Sequence, residues 1–398
     1  MNFSLYLSFR YLLSNQKGSF TRFAGILSLT GLAVGVSSLL LTLFILNGFE
    51  RVISQKIAEF DGHIRIRHFL NQPISSNFLD SDSTVINFGK KFIKSSFIQG
   101  PALLRKGDLA EGVIVEGIDN DRSAFLKKII INEKIILGNK SVIIGKQLAD
   151  KLNLFIGDKI VLFDLAKINT SKKRIRQYTI TGLFHSGMTE YDKSIVFVNL
   201  NEANTLFDMD NLISGVIINL NDISELEHIT SSFNNSLSYP HMVMTWKEKN
   251  QALFSWLNIQ RWPILFIFGL IALVGIVNII SSLAMIIIDK SRQIGILKSL
   301  GMKKSQLKLT FLIQGLIIGI IGSLIGSVIS LIIAWLQNSY KIIQVPEDIY
   351  FMDFIPIDIN FSHILFISLL AIFFSIFAAI WPSIKIDKIK SSEALKYE

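Results

Sequence analysis

Apolar residues gather along this chain in four charge-free blocks, at 23–47, 262–288, 309–337 and 361–382. A helix needs about 20 apolar residues to cross ~30 Å of hydrocarbon, so each block is long enough to span a bilayer. Their excess length predicts tilt or projection beyond the lipid. Between the first two blocks the period changes. Short apolar or alternating runs, HIRIRHF (63–69), GVIVEGI (112–118), SVIIG (141–145), KIVLF (159–163), YTITGLF (178–184), SIVFVNL (194–200) and GVIINL (215–220), predict strands. Helical patches are expected at 147–152, from Asn201, and over ISELEHITSSF behind Asp222 as N-cap. Gly157-Asp158 reads as a tight turn and 71–84 as an exposed polar loop. This alternation predicts a mixed α/β domain in two lobes, divided near 110–120 and rejoined near 215. Residues 1–20 carry Leu5, Phe9, Leu12 and Leu13 at helical spacing beside Arg10 and Lys17, which suits a helix at the membrane interface.

Charge orients these pieces. The net charge is +9, and it sits before the first block (Arg10, Lys17, Arg22), between the second and third, and after the fourth. Residues 338–360 instead hold Glu347, Asp348, Asp353 and Asp358 against Lys341. By the positive-inside rule the basic segments face the cytosol, and the acidic loop and the large domain lie outside. The fold class expected is an α-helical membrane protein with four transmembrane helices and a large mixed α/β extracytoplasmic domain inserted between helices 1 and 2. Its parts are a cytosolic lead-in (1–22), transmembrane helix 1 (23–47), a periplasmic domain (48–260), helix 2 (261–288), a cytosolic elbow (289–308), helix 3 (309–337), a short periplasmic loop (338–360), helix 4 (361–382) and a cytosolic tail (383–398). Both termini are cytosolic in this scheme. Topology accounts for the basic pI, so nucleic acid is not an expected partner. The first block is too long for a signal-peptide core and lacks a small-residue cleavage site, so it is expected to be retained. There is no cysteine, which excludes a disulfide framework, a thiol nucleophile and a lipid on an N-terminal cysteine.

Candidate chemistry is sparse. No GxxxxGK[ST] and no GxGxxG occurs, so energy from ATP must come through another chain. The natural dock is the elbow: Lys290, Arg292, Gln293, Ile294, Leu297, Lys298 and Gly301 lie in it, with an apolar stripe through Ile294, Leu297 and Leu300. A solvated topogenic loop would need the bases but not the stripe. The six histidines show no ligand spacing, so no metal site is expected. His185-Ser186 lies near Glu190 and Asp192, but no GxSxG elbow supports a hydrolase, and no catalytic residue is assigned. Charge-free spans also argue against an ion pathway. The glycine pairs Gly31/Gly35, Gly315/Gly319 and Gly322/Gly326 are read as close helix packing.

The segments GLAVGVSSLLLTLFILNGFE (31–50), GKQLADKLNLFIGDKIVLF (145–163), YTITGLFHSGMTEYDKSIVFVNLNEANTLF (178–207), VNIISSLAMIIIDKSRQIGILKSLGMKKSQL (277–307) and SSEALKYE (391–398) together carry a resemblance. In order and spacing the chain resembles the permease subunits of the lipoprotein-releasing ABC transporter, within the superfamily of macrolide-exporter-like and cell-division permeases. The elbow is common to that superfamily; SGMTEYD narrows the match. The resemblance implies a four-span inner-membrane subunit, paired with a second permease and two cytosolic ABC ATPases that hold the ATP and magnesium; this chain has no cofactor of its own. It also implies lipoprotein substrates and a periplasmic carrier. The carrier-binding loop would fall within 164–176, at Lys167, Lys172, Lys173, Arg174 and Arg176, although it lacks the family's proline and a plain hairpin is the alternative.

An acyl anchor buried at about 0.8 kcal/mol per CH₂ cannot be released into water, so such a permease must offer it an apolar cavity. Phe44, Phe49, Ile264, Phe266 and Phe268 are the candidate wall, each alternatively a lipid-facing or packing residue. Rival readings are an efflux or signalling permease of the same architecture and, from a different class, a membrane-bound receptor or hydrolase.

Overall fold

The computed structural model describes residues 3–12, 20–80, 82–119, 121–123, 129–131, 137–166, 175–346 and 352–388. In chain order these form α1 (Phe3–Leu12), α2 (Phe20–Asp61), β1 (Ile64–His68), β2 (Ile74–Ser75), α3 (Ser83–Phe88), β3 (Phe92–Lys106), β4 (Leu109–Ile118) and β5 (Ser141–Gly145). They continue as α4 (Lys146–Leu152), β6 (Lys159–Asp164), β7 (Ile175–Phe184), α5 (Thr189–Ser194), β8 (Ile195–Asn199), α6 (Leu200–Phe207), β9 (Leu212–Ile213) and β10 (Gly215–Leu220). The last elements are α7 (Leu226–Ser236), β11 (His241–Thr245), α8 (Trp246–Lys249), α9 (Gln251–Asp289), α10 (Ser291–Ser299), α11 (Lys304–Tyr340) and α12 (Phe361–Ile384). Two compact units result: Met1–Glu50 with Trp256–Ile343 and Ile355–Glu398, and Arg51–Ser255 with Gln344–Phe354.

The first unit is helical. Four of its helices are long and apolar enough to cross a membrane. Small residues bring them together. A Cβ added at Gly315 would lie 2.6 Å from Ala379 Cβ, and one at Gly326 would lie 2.6 Å from the Ala33 carbonyl, so α11 packs directly on α12 and on α2. Ser375 Oγ donates to the Gly315 carbonyl at 2.8 Å, a polar link between spans that lipid makes valuable. Replacing Gly315 by Leu is expected to cost about 1–3 kcal/mol through overpacking, measured as a lower thermal aggregation midpoint of the detergent-solubilised chain. At the other side of α11, Ser4, Leu7, Ser8 and Tyr11 of α1 are buried, and Ser8 Oγ donates to the Thr310 carbonyl at 2.7 Å. Leu5 and Phe9, the residues of the expected stripe, remain exposed, the arrangement of a helix with one face on protein and one apolar face outward.

The second unit is built on a nine-stranded sheet of order β11-β1-β10-β3-β4-β8-β5-β7-β6, and β3 pairs with β6 as well. That extra pairing closes β3, β4, β8, β5, β7 and β6 into a ring. Alternation makes the ring's core: every second residue of β6, and of β7 from Tyr178 onward, is buried, including Ile160, Leu162, Tyr178 and Ile180. The division between lobes therefore falls inside one strand, not between strands. Residues 92–97 of β3 pair with β10, and residues 102–105 pair with β6. Pro101 sits in the gap between these two partners, where its missing N–H interrupts no ladder. Gly100 beside it is needed for approach, because a Cβ there would lie 2.6 Å from the Phe207 ring.

The helices α2 and α9 run well past the charge-free blocks. At 1.5 Å per residue a helix of 42 residues such as α2 is about 63 Å long, roughly twice the hydrocarbon thickness. Residues 48–61, whose mixed composition reads as soluble, continue the α2 helix as far as Asp61.

Candidate functional site

Three places carry the sequence-derived candidates. In the elbow, α10 ends in a Schellman motif: Gly301 N–H donates to the Lys298 carbonyl at 3.1 Å and Met302 N–H to the Leu297 carbonyl at 3.0 Å. Gly301 takes φ +90°, a conformation that favours glycine. The expected apolar stripe is split by packing. Ile294 is fully buried, in a cluster with Leu283, Ile286, Leu307, Phe311 and Ile386, and Leu297 packs half-buried against it. These two hold the elbow to its own helices and do not present a docking face. Exposed instead are Arg292, Ile296, Leu300, Lys303 and Lys304, with Leu300 78% exposed. Ile296, which the sequence did not single out, is exposed one helical turn before Leu300.

The bases of the elbow divide in the same way. Lys290 is buried, with its Nζ 3.3 Å from Asp289, and Gln293 is half-buried. Lys298 Nζ donates to the Ile386 carbonyl at 2.7 Å. Burial, helped by repulsion from Lys304, holds the Lys298 ammonium below the ordinary lysine range. Lys308 pairs with Asp387 at 2.6 Å, so the segment after α12 braces the elbow from behind.

The apolar cleft lies within the helical unit. It is open on one side, holds about 60 Å³, and is walled by α2 (Leu32, Leu39), α9 (Phe268, Ile271) and α12 (Leu370, Phe374), among other residues. Of the five candidate cavity residues only Phe268 lines it. Phe44 is fully buried against Ala334, Ile357 and Ile367 and is a packing residue. Phe266 is exposed at 68%, and Phe49 and Ile264 are half-buried. Of the candidate carrier loop, Lys167, Lys172, Lys173 and Arg174 lie outside the described residues. Arg176, on β7, is ion-paired to Glu202 at 3.4 Å and helps seat α6.

The motif SGMTEYD forms a tight polar turn. Ser186 Oγ donates to Asp192 Oδ1 at 2.6 Å, Ser186 N–H donates to the same oxygen at 2.9 Å, and His185 Nδ1 lies 2.7 Å from Asp192 Oδ2. The residue types of a hydrolase triad thus meet, but in the wrong order. A nucleophilic serine must give its proton to the histidine; here it binds the carboxylate and is buried. The cluster pins the start of α5 to the end of β7.

The family model for the MacB-like periplasmic core domain matches residues 26–235, more than half of the 398-residue chain. The chain belongs to this family. In this MacB-like chain a second model, the FtsX-like permease C-terminal, matches residues 265–390 and takes in the elbow. A lipoprotein-releasing system transmembrane protein LolC of Xylella fastidiosa (strain Temecula1) is 26% identical over 99% of both chains. The LolC of Buchnera aphidicola subsp. Schizaphis graminum is 29% identical, covering 95% of this MacB-like chain and 94% of its own. The lipoprotein-releasing system transmembrane protein LolE of Haemophilus influenzae is 25% identical over 99% of both chains.

Proposed function

We propose that this chain is the permease subunit of a lipoprotein-releasing ABC transporter in the bacterial inner membrane. The observation that carries the proposal is the end-to-end likeness to lipoprotein-releasing permeases, 26% over 99% of both chains. In this reading α2, α9, α11 and α12 span the membrane, residues 1–22, 289–308 and 383–398 face the cytosol, and the α/β unit is a periplasmic insertion between spans 1 and 2. A separate ABC ATPase binds ATP and magnesium and docks on the elbow. A second permease completes the pair. Lys167, Lys172, Lys173 and Arg174 are proposed to meet a periplasmic carrier, to which the extracted lipoprotein passes.

Apolar walls suit the work. Each buried methylene of an acyl chain is worth about 0.8 kcal/mol, so cargo must move from lipid to cleft to carrier without exposure. A photo-crosslinking residue in place of Phe268, with others at Phe49 and Phe266, tests this. Acylated protein is expected to be trapped at Phe268 and lost when ATP is supplied. Recovery of no acylated protein from any of the three positions would favour an efflux or signalling permease instead.

A further inference from the structure

The last residue of α2, Asp61, is 1% exposed, yet its carboxylate is the centre of a polar cluster. Lys249 Nζ pairs with Oδ1, and Arg65 Nη2 lies 3.4 Å from the same oxygen. Tyr191 Oη donates to Oδ2 at 3.0 Å and Asn250 Nδ2 donates to it at 3.2 Å. A carboxylate offers about four lone-pair sites, so these donors saturate it. The end of α2 is held by its backbone as well. Arg65 Nε donates to the Asp61 carbonyl at 2.9 Å and Arg122 Nη2 donates to the Phe60 carbonyl, two cations on the negative end of a helix dipole. Gly62, at φ +80°, turns the chain away; a Cβ there would strike Ile217.

Asn250 is where the second long helix begins. Its Nδ2 also donates to the Trp246 carbonyl at 2.9 Å, closing α8, while its own carbonyl accepts from Leu253 N–H at 3.0 Å as α9 starts. Tyr191 lies on α5, the helix pinned by the SGMTEYD cluster, and its ring sits 4.5 Å from that of Phe60. Arg65 continues the cluster to Glu116 of β4 at 3.2 Å. One carboxylate therefore joins the end of α2, the start of α9, helix α5 and the central sheet.

Stability does not explain such a cluster, because buried ion pairs add little over apolar packing of the same volume. Registry does. We infer that Asp61 is a joint: a positioning residue through which movement of α2 and α9 is passed together to the α/β unit. This deepens the proposed function, since it presumes an ATPase that moves those helices. Asparagine at 61 keeps the shape but turns a donor toward donors, which makes Asp61→Asn the sharp variant.

Hydrogen exchange of the full permease–ATPase complex in nanodiscs, with and without ATP plus orthovanadate, tests the joint. In the native complex nucleotide should change exchange in three segments: 186–192, 246–250 and 291–300. In Asp61→Asn the change at 291–300 should persist while those at 186–192 and 246–250 are lost. A merely structural residue would not separate the segments in this way. Should Asp61→Asn fail to assemble, Tyr191→Phe, which leaves every charge paired, is expected to lose the response at 186–192. A full response in the assembled variant, or none at 186–192 in the native complex, would overturn the inference. A native complex that responds but releases no acylated protein would contradict the lipoprotein reading and leave the joint standing.

Discussion

Replacing Leu300 by Asp together with Ile296 by Asp is expected to abolish co-purification of an ABC ATPase while the permease still inserts and folds. Both side chains are exposed on α10 and neighbouring turn, beside Arg292, Lys303 and Lys304, and neither contributes to the packed cluster around Ile294. Removing two apolar anchors from the middle of an interface typically costs about 2–4 kcal/mol each, and the added carboxylates oppose any dry contact. The matched control is Ile294→Asp, which should reduce the amount of folded permease itself, because it places a charge in the cluster of the helical unit. Equal ATPase recovery with the native chain and with the Leu300/Ile296 variant would remove the elbow from the coupling surface.

The second large effect is expected at Arg65. Arg65→Met leaves Asp61 and Glu116, 1% and 2% exposed, without their main shared counter-charge. Breaking a buried pair by deleting one partner costs about 3–5 kcal/mol. The Arg65 side chain also caps α2 and lies 4.9 Å from the Phe97 ring, so some packing is lost with the charge. Thermal aggregation of the detergent-solubilised chain should shift to clearly lower temperature. Adding Glu116→Gln should recover part of the loss, since it removes one of the two stranded carboxylates. A double variant as unstable as the sum of the two single ones would show that Arg65 and Glu116 act independently.

What the sequence made legible follows from how strongly each environment constrains its residues. Lipid tolerates almost no charge, so four blocks announce the spans without ambiguity. Water constrains less. The run NGFERVISQKIAEFD (47–61) mixes charge with apolar residues, and nothing in it says that helix α2 continues to Asp61. Strand β3 was hidden for a different reason. Gly100 and Pro101 argue against a strand, and only the change of partner at that point makes them acceptable. The elbow shows a third limit: Ile294, Leu297 and Leu300 share a helical repeat, but which of them packs inward depends on Phe311 and Ile386, far away in sequence. The Asp61 cluster was invisible, because its members are scattered from 61 to 250 and no local spacing links them. SGMTEYD stood out as a motif, yet its work, presenting Tyr191 to Asp61, needed the fold to be seen.

In the proposed function, energy enters at one face of the membrane and the load is moved at the other. The chain contains no cysteine, so single-cysteine variants report their own positions cleanly. Ser299→Cys in the elbow and Ser231→Cys in the α/β unit both replace exposed residues. With a membrane-impermeant maleimide added to intact spheroplasts, the account predicts labelling at 231 and none at 299 until the membrane is opened. Labelling at 299 in intact spheroplasts, or protection at 231, would contradict it.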